Sequence, residues 1–367
     1  MKYFFLVGEA SGDAHAAALM AALRVQDSSA QFVGFGGELM RRAGAKLYQD
    51  YTHMAFMGVI AVLRNIRQIK QNFRIAQQAL LAEKPDVLVL VDYPSFNLKM
   101  AAFARESLPG VKIVYYIPPK IWAWKTHRVH RIAKLCDEVL GIFPFEPAFY
   151  VKYGYKCTYI GNPTAEEIAG WQYRHPHPQR EEIIALLPGS RKGEILNCLP
   201  KMIRAAKEYD YPIIIAAAPG LEDSFYAPYV SDRVTITRDT WSLLSRAKVA
   251  LVTSGTATLE AALLDCPQLS VYRIYTSRWL GWLKPFIFKI PYFTLVNIVA
   301  GKQVIYEAIG PKFSNANIRR ELKRLLNDGN YIKNMLADYK HIRSLFGQSH
   351  AAEMAAQQIK KLVQSQQ

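Results

Sequence analysis

The chain of 367 residues is long for one core of ordinary size, so two domains are expected. Its 51% hydrophobic and 21% charged residues exclude global disorder, and four scattered cysteines (Cys136, Cys157, Cys198, Cys266) with no CxxC pair argue against a disulfide scaffold or zinc site. A net charge of +16, from 46 Lys and Arg against 30 Asp and Glu, points to phosphorylated substrates, nucleic acid or an acidic membrane face, with a basic solvated surface as the plain alternative.

Short β-rich runs alternate with helical stretches. "YFFLVG", "QFVGFGG", "DVLVLVDY", "KIVYYI", "EVLGIF" and "CTYIGN" lack period-two alternation and read as buried parallel strands. The first runs directly into "GEASGD" at 8–13, with neither the length nor the cleavage pattern of a signal peptide. That corner is neither GxSxG nor GxGxxG. Ser11 or Asp13 can cap the helix that follows, yet Glu9 and Asp13 stand at the carboxyl end of the first strand, where open α/β sheets bind ligands.

"MAFMGVIAVL" at 54–63 is uncharged, and "RNIRQIKQNFRIAQQAL" follows it. In the second stretch Ile66, Ile69, Phe73, Ala76 and Leu80 make a helical core face, with Arg64, Arg67, Lys70 and Arg74 on another side. The apolar run itself reads equally as core packing or as an exposed patch for lipid, lined by Met54, Phe56, Met57, Val59, Ile60, Val62 and Leu63. No apolar run reaches about 18 residues, so no membrane span is expected. The nearest, 279–301, is broken by Lys284, Pro285, Lys289 and Pro291. A cytosolic protein able to touch a membrane is the reading.

In "VLVLVDYPSFNLK" Asp92 ends a very apolar strand, where desolvation raises a carboxyl pKa and suits it to act as a base. The plain alternative is an Asp capping the next turn. "IPPKIWAWKTHRVHRIAK" reads as core tryptophans beside a solvated basic helix rather than a nucleic-acid stacking platform. His127, His130 and His175 have no ligand spacing, so no metal is expected.

"AGWQYRHPHPQREE", polar and Pro-bearing, is taken as a linker over 169–181, between domains at 1–168 and 182–345, with a helical tail at 346–367. The second domain holds two strand-to-helix corners. "LLPGSRKGEI" has a Pro-Gly bend at Gly189, then Ser190 and Arg191; it lacks the ending of a Walker A loop, but Arg191 can grip a phosphate with its fork. "TSGTATLEAALLDCP" places Gly255 where the backbone approaches a ligand, with the hydroxyls of Ser254 and Thr256 and the unpaired first amides of a helix suited to phosphate. Glu260, about one and a half turns on, can accept from two ribose hydroxyls. A tight turn with a surface Arg, and a capped helix with a solvated Glu, are the alternatives. Two doubly wound α/β domains facing one cleft follow from this layout.

Taken in order, "GEASGD", "MGVIAVL", "VDYPSFN", "IWAW", "PFE", "GNP", "LLPGSRKGEI" and "TSGTATLEAAL" resemble the lipid-A-disaccharide synthases, across nearly all the chain. The resemblance implies a GT-B-like architecture of two Rossmann-like domains and an inverting glycosyltransferase needing no cofactor. UDP-2,3-diacylglucosamine would glycosylate the 6-hydroxyl of 2,3-diacylglucosamine 1-phosphate, releasing UDP and the β-1,6-linked disaccharide. It implies Asp92 as general base, Glu9 and Arg191 in catalysis, and Ser11, Gly12, Asp13 and Asn97 on the acceptor side. Gly189, Ser190, Ser254, Gly255, Thr256, Ala257, Glu260, Asn297, Gln303 and Glu307 would surround the nucleotide sugar. A peripheral position on the inner face of the cytoplasmic membrane, and possible homodimers with exchanged C-terminal segments, are further implications. Two readings compete: a soluble UDP-sugar epimerase or transferase of the same architecture, and a non-catalytic basic membrane- or nucleic-acid-binding module.

Overall fold

The computed structural model describes residues 1–53, 66–123, 125–176, 179–253, 255–273, 291–347 and 350–364. The chain divides into two compact units, residues 1–163 with 348–367, and residues 164–347.

In the first unit the strands are β1 (Lys2–Val7), β2 (Gln31–Gly36), β3 (Lys46–Asp50), β4 (Val87–Val91), β5 (Lys112–Tyr116), β6 (Glu138–Gly141) and β7 (Thr158–Tyr159). They form one parallel sheet in the order β3-β2-β1-β4-β5-β6-β7. Helices α1 (Ala10–Gln26), α2 (Glu38–Arg42), α3 (Ile66–Glu83), α4 (Pro94–Ser107), α5 (Arg128–Leu135) and α6 (Glu146–Val151) connect or follow these strands.

The unbroken apolar strands have a physical cause. Side chains alternate across a strand, and here both faces are covered, so both registers must be apolar. Phe4, Leu6, Leu88 and Leu90 pack with Ala76 and Leu80 of α3 and with Met100, Ala101 and Ala104 of α4. Tyr3, Phe5, Val7, Val87, Val89 and Val91 pack on the other face, with Ala16, Leu19, Met20 and Leu23 of α1. Each such side chain contributes about 1.5–3 kcal/mol by leaving water. On α3 the expected face holds in part: Ala76 and Leu80 are buried, Ile69 and Phe73 half-buried, and Arg67, Lys70 and Arg74 exposed.

The second unit repeats the plan. Its strands are β8 (Glu181–Leu187), β9 (Ile213–Ala216), β10 (Val234–Thr237), β11 (Ala247–Val252), β12 (Gln268–Tyr272) and β13 (Glu307–Ile309), parallel in the order β10-β9-β8-β11-β12-β13. Helices α7 (Pro163–Arg174), α8 (Lys192–Ala206), α9 (Thr240–Arg246), α10 (Thr256–Leu263), α11 (Leu295–Ala300), α12 (Asn315–Asn327) and α13 (Gly329–Phe346) complete it.

Two boundaries differ from the sequence reading. Residues 169–174 of the expected linker continue α7, because Ile168 gives that helix a buried anchor and no proline intervenes before Pro176. Arg180 belongs to the second unit, donating to the carbonyls of Leu244, Ala247 and Leu264 at 2.6–2.7 Å. The tail is also divided. Helix α14 (Ala351–Gln364) buries Ala355, Ala356 and Ile359 in the first unit's core, on the face that α1 covers, whereas Phe346 at the end of α13 is buried in the second. The apolar stretch at 54–63, and 279–290 of the later one, lie outside the described residues; Leu295, Val296 and Val299 are buried. Among the described residues no helix is long and apolar enough to cross a membrane.

Asp13 has a structural task here. It is 3% exposed, and its carboxylate accepts from the amides of Gly37 (2.7 Å), Leu39 (3.0 Å) and Met40 (3.2 Å), capping α2 rather than its own helix. This leaves little of it for an acceptor sugar. Asp13→Ala strands these amides and should destabilise the protein by roughly 2–3 kcal/mol, while Ser11→Ala, at an exposed site, should change stability by less than about 0.5 kcal/mol. Chemical denaturation of both variants checks the contrast.

Candidate active site

Both sheets reverse direction of growth between their first and fourth strands in chain order: β1 and β4, then β8 and β11. In open α/β sheets the loops leaving the carboxyl ends at such a switch point diverge and expose a crevice for ligands. Val7 pairs with Val91, so Gly8–Glu9 and Asp92 leave the first sheet side by side. Leu187 pairs with Val252, so Pro188–Arg191 and the loop from Thr253 leave the second sheet together.

In the first unit the corner is built by close approach. A Cβ on Gly8 would lie 2.3 Å from the Tyr93 ring, and one on Gly12 would lie 2.9 Å from Val7, so glycine lets α1 and the β4 loop sit against β1. Asp92 and Tyr93 are consecutive non-glycine residues in left-handed backbone, with φ of +43° and +44°. Strain of this kind costs about 1–3 kcal/mol per residue and persists only when neighbours hold it. They do: the Asp92 carbonyl accepts from Tyr115 Oη (2.7 Å) and Asn97 Nδ2 (2.8 Å), and the Asp92 amide donates to the Ile117 carbonyl. Asn97, 1% exposed, also reaches the carbonyls of Leu6 and Val91. It stitches β1 to β4 from below instead of facing an acceptor.

Burial pushes the Asp92 carboxyl up to about 6, with the Glu9 charge adding to the rise; Lys120 and the Tyr93 amide act in the opposite sense. Glu9 is half-buried and accepts from Ser11 Oγ at 2.7 Å. Behind this corner Glu146, fully enclosed, accepts from Trp122 Nε1 (3.1 Å) and the amides of Ile142 and Phe143. Burial raises its carboxyl to about 7 despite those three donors. Trp122 packs edge-on against Phe143 and Phe145, which makes it core, as the sequence reading favoured; Trp124 lies outside the described residues.

In the second unit Gly189 has φ +102°, and a Cβ there would stand 2.7 Å from Glu194 Oε2. Ser190 is exposed, and Arg191 is the N-cap of α8 with its side chain 65% exposed, one Nη reaching Glu194 at 3.1 Å. Gly255, at φ +138°, is the N-cap of α10; its carbonyl accepts from Thr258, while Thr256 is exposed and Ala257 half-buried. Ser254 lies outside the described residues. Two loops thus offer helix-start amides and a guanidinium, the groups that hold a phosphate. Glu260 accepts from Trp241 Nε1 at 3.0 Å, which orients one carboxylate oxygen. Among the described residues no three His, Cys, Asp or Glu side chains gather to hold a metal ion.

The lipid-A-disaccharide synthetase family matches residues 3–362. The chain belongs to that family. The lipid-A-disaccharide synthase of Geobacter sulfurreducens is 32% identical over 371 residues, covering 97% of this chain and 95% of that one. Solved structures share the fold at lower identity. The UDP-GlcNAc 2-epimerase of Neisseria meningitidis bound to UDP-GlcNAc aligns with a TM-score of 0.60 at 14% identity over all of both chains. The calicheamicin glycosyltransferase CalG4 gives 0.58 at 14%, over 99% of this chain and 98% of that one. Fold alone would not separate epimerase from transferase; membership of the family does. The chain is a glycosyltransferase of lipid A disaccharide synthesis, with two parallel-sheet Rossmann-like domains.

Not every residue that the resemblance implied reaches a ligand in this geometry. Asn297 is completely buried: its Oδ1 accepts from the amides of Val304 and Ile305, and its Nδ2 donates to Ile305 O and Glu307. Glu307 also accepts from the Phe293 and Thr294 amides and the Thr294 hydroxyl. Both therefore brace the β12–β13 connection, and of that trio Gln303 is the exposed member. Lys120, Glu146 and Trp241 were not among the expected site residues. "PFE" carried a signal for Glu146, a carboxylate just past an apolar strand, but one indistinguishable from a turn residue.

Gly189→Ala should lower stability by about 1–3 kcal/mol, because it combines left-handed backbone with a clash. Gly193→Ala in α8, where the added Cβ meets nothing within 4 Å, should be neutral or stabilising. Thermal melts of the two variants settle the comparison.

Proposed function

We propose that this synthase transfers the sugar of UDP-2,3-diacylglucosamine to the 6-hydroxyl of 2,3-diacylglucosamine 1-phosphate in one displacement that inverts the anomeric carbon. The hydroxyl proton passes to Asp92, the O6–C1 bond forms, the C1–O bond to the diphosphate breaks, and UDP leaves with the electron pair. The products are UDP and the β-1,6-linked disaccharide 1-phosphate.

The observation that carries this reading is Asp92 itself: a strand-end carboxylate, crowded by protein and raised to about 6, is a base poised near operating pH. Glu9 is the second carboxylate of that corner. On the second unit, Arg191 with the amides at Gly189–Ser190 and Gly255–Ala257 neutralises the departing diphosphate, a task that preorganised donors perform without reorganisation. Glu260, held on one oxygen by Trp241, keeps the other for ribose hydroxyls. A UDP-sugar in this fold is supported by the Neisseria epimerase, whose solved structure is bound to UDP-GlcNAc.

Both substrates carry acyl chains, and the protein carries a charge of +16, with Arg67, Lys70 and Arg74 exposed on α3. A peripheral position on an acidic membrane surface, on the inner face of the cytoplasmic membrane, fits that charge.

The test is UDP release from the two lipid substrates. Asp92→Asn keeps a residue that tolerates left-handed backbone, so it should fold, yet lower kcat by about 10²–10⁴. Arg191→Ala, at an exposed position, should leave stability nearly unchanged and lower kcat/KM by about 10²–10³. Because the ionised carboxylate is the working form, kcat/KM should fall as pH drops through about 6. An Asp92→Asn enzyme with undiminished turnover would remove the proposed base.

A further inference from the structure

Three loops leave the carboxyl edge of the first sheet next to one another. Val7 of β1 pairs with Val91 of β4, which pairs with Tyr116 of β5, so Glu9, Asp92 and the loop 117–120 emerge from adjacent strands. The third loop is held firmly. Ile117 is left-handed at φ +59° and its amide donates to the Leu140 carbonyl, its own carbonyl accepts from the Asp92 amide, and Pro118 and Pro119 are buried. Two residues on, Trp122 is anchored by Glu146. Lys120 therefore sits on a braced turn beside the Asp92 loop.

Its surroundings are one-sided. The charges that act on Lys120 are Asp92, Glu146 and Glu9, all carboxylates, yet its ammonium makes no hydrogen bond or ion pair among the described residues. The side chain is exposed to solvent, but protein crowds it enough that desolvation still pushes the ammonium downward. A cation kept in such a place without a direct partner has its value in the field it casts.

We propose that Lys120 is a positioning residue for the transfer, a cation that faces the Glu9–Asp92 pair from the β5 loop and keeps Asp92 in its proton-accepting form. This rests on the reading of Asp92 as base. The groups whose charge or hydrogen bonding acts on Asp92 are Glu9 from the β1–α1 corner, the Tyr93 amide and Lys120, while Tyr115 of β5 donates to the Asp92 carbonyl; Glu146 in turn acts on Lys120, and Glu9 on His15 of α1. Glu9 and burial both favour a protonated Asp92, and among these side chains Lys120 is the cation acting against them. A role as anchor for the acceptor phosphate is disfavoured by the same three carboxylates, which repel a second anion.

The experiment is the pH profile of kcat/KM and the acceptor KM for wild type, Lys120→Met, Lys120→Arg and Asp92→Asn. Lys120→Met keeps the aliphatic stem, and its melting temperature reports folding. Its acid limb should move up by about one pH unit, a loss of about fivefold at pH 6 and less than twofold at pH 9, while Lys120→Arg keeps the limb near the wild-type position. A Lys120→Met limb that does not move overturns the proposal, as does a pH-independent rise in acceptor KM, which would make Lys120 a phosphate anchor. Failure of the base reading looks different: Asp92→Asn would then retain turnover and the wild-type limb, whatever Lys120→Met does.

Discussion

A carboxylate at the end of a fully apolar parallel strand is the constraint on which the account depends. β4 is buried along its whole length, so the chain leaves it through protein rather than water, and the first residue it delivers is Asp92. The backbone there turns through two left-handed residues, fixed by Tyr115, Asn97 and the Ile117 carbonyl. None of those contacts uses the Asp92 side chain. The sheet thus fixes where the carboxylate stands, while desolvation and Glu9 set how readily it takes a proton.

The second unit solves the opposite problem with the same strand order. Its switch-point loops carry no carboxylate at their tips; they carry two left-handed glycines, two helix starts and Arg191. Each unit thus presents its own chemistry at its switch point: a desolvated carboxylate in the first, and helix-start amides with a guanidinium in the second. A shared fold with epimerases is therefore no contradiction, since the sheet supplies the loops and the loop residues supply the chemistry.

Much of this is legible from residues alone, for local reasons. Continuous apolar runs force two-sided burial, and Gly or Pro-Gly directly after such a run forces a tight departure, so "VDYPSFN", "LLPGSRKGEI" and "TSGTATLE" stand out. What is not legible is which polar side chains the fold consumes. Asp13, Asn97 and Asn297 look like ligand residues in their motifs, but their partners are backbone amides and carbonyls, with the Glu307 carboxylate added for Asn297, brought in by folding, for Asp13 from 24 to 27 residues away. The return of α14 to the first unit is hidden for the same reason, because an apolar stripe shows that a helix needs a partner without saying which one. Lys120 and Glu146 escaped notice because their significance lies in neighbours that only the sheet assembles.

The most direct measurement is a carbon-13 NMR titration of the Asp92 carboxyl in aspartate-labelled protein, assigned by its loss in an Asp92→Asn sample. The expected midpoint is about 6. A midpoint near 4, that of an ordinary solvated aspartate, would mean that the strand end does not hold a poised base.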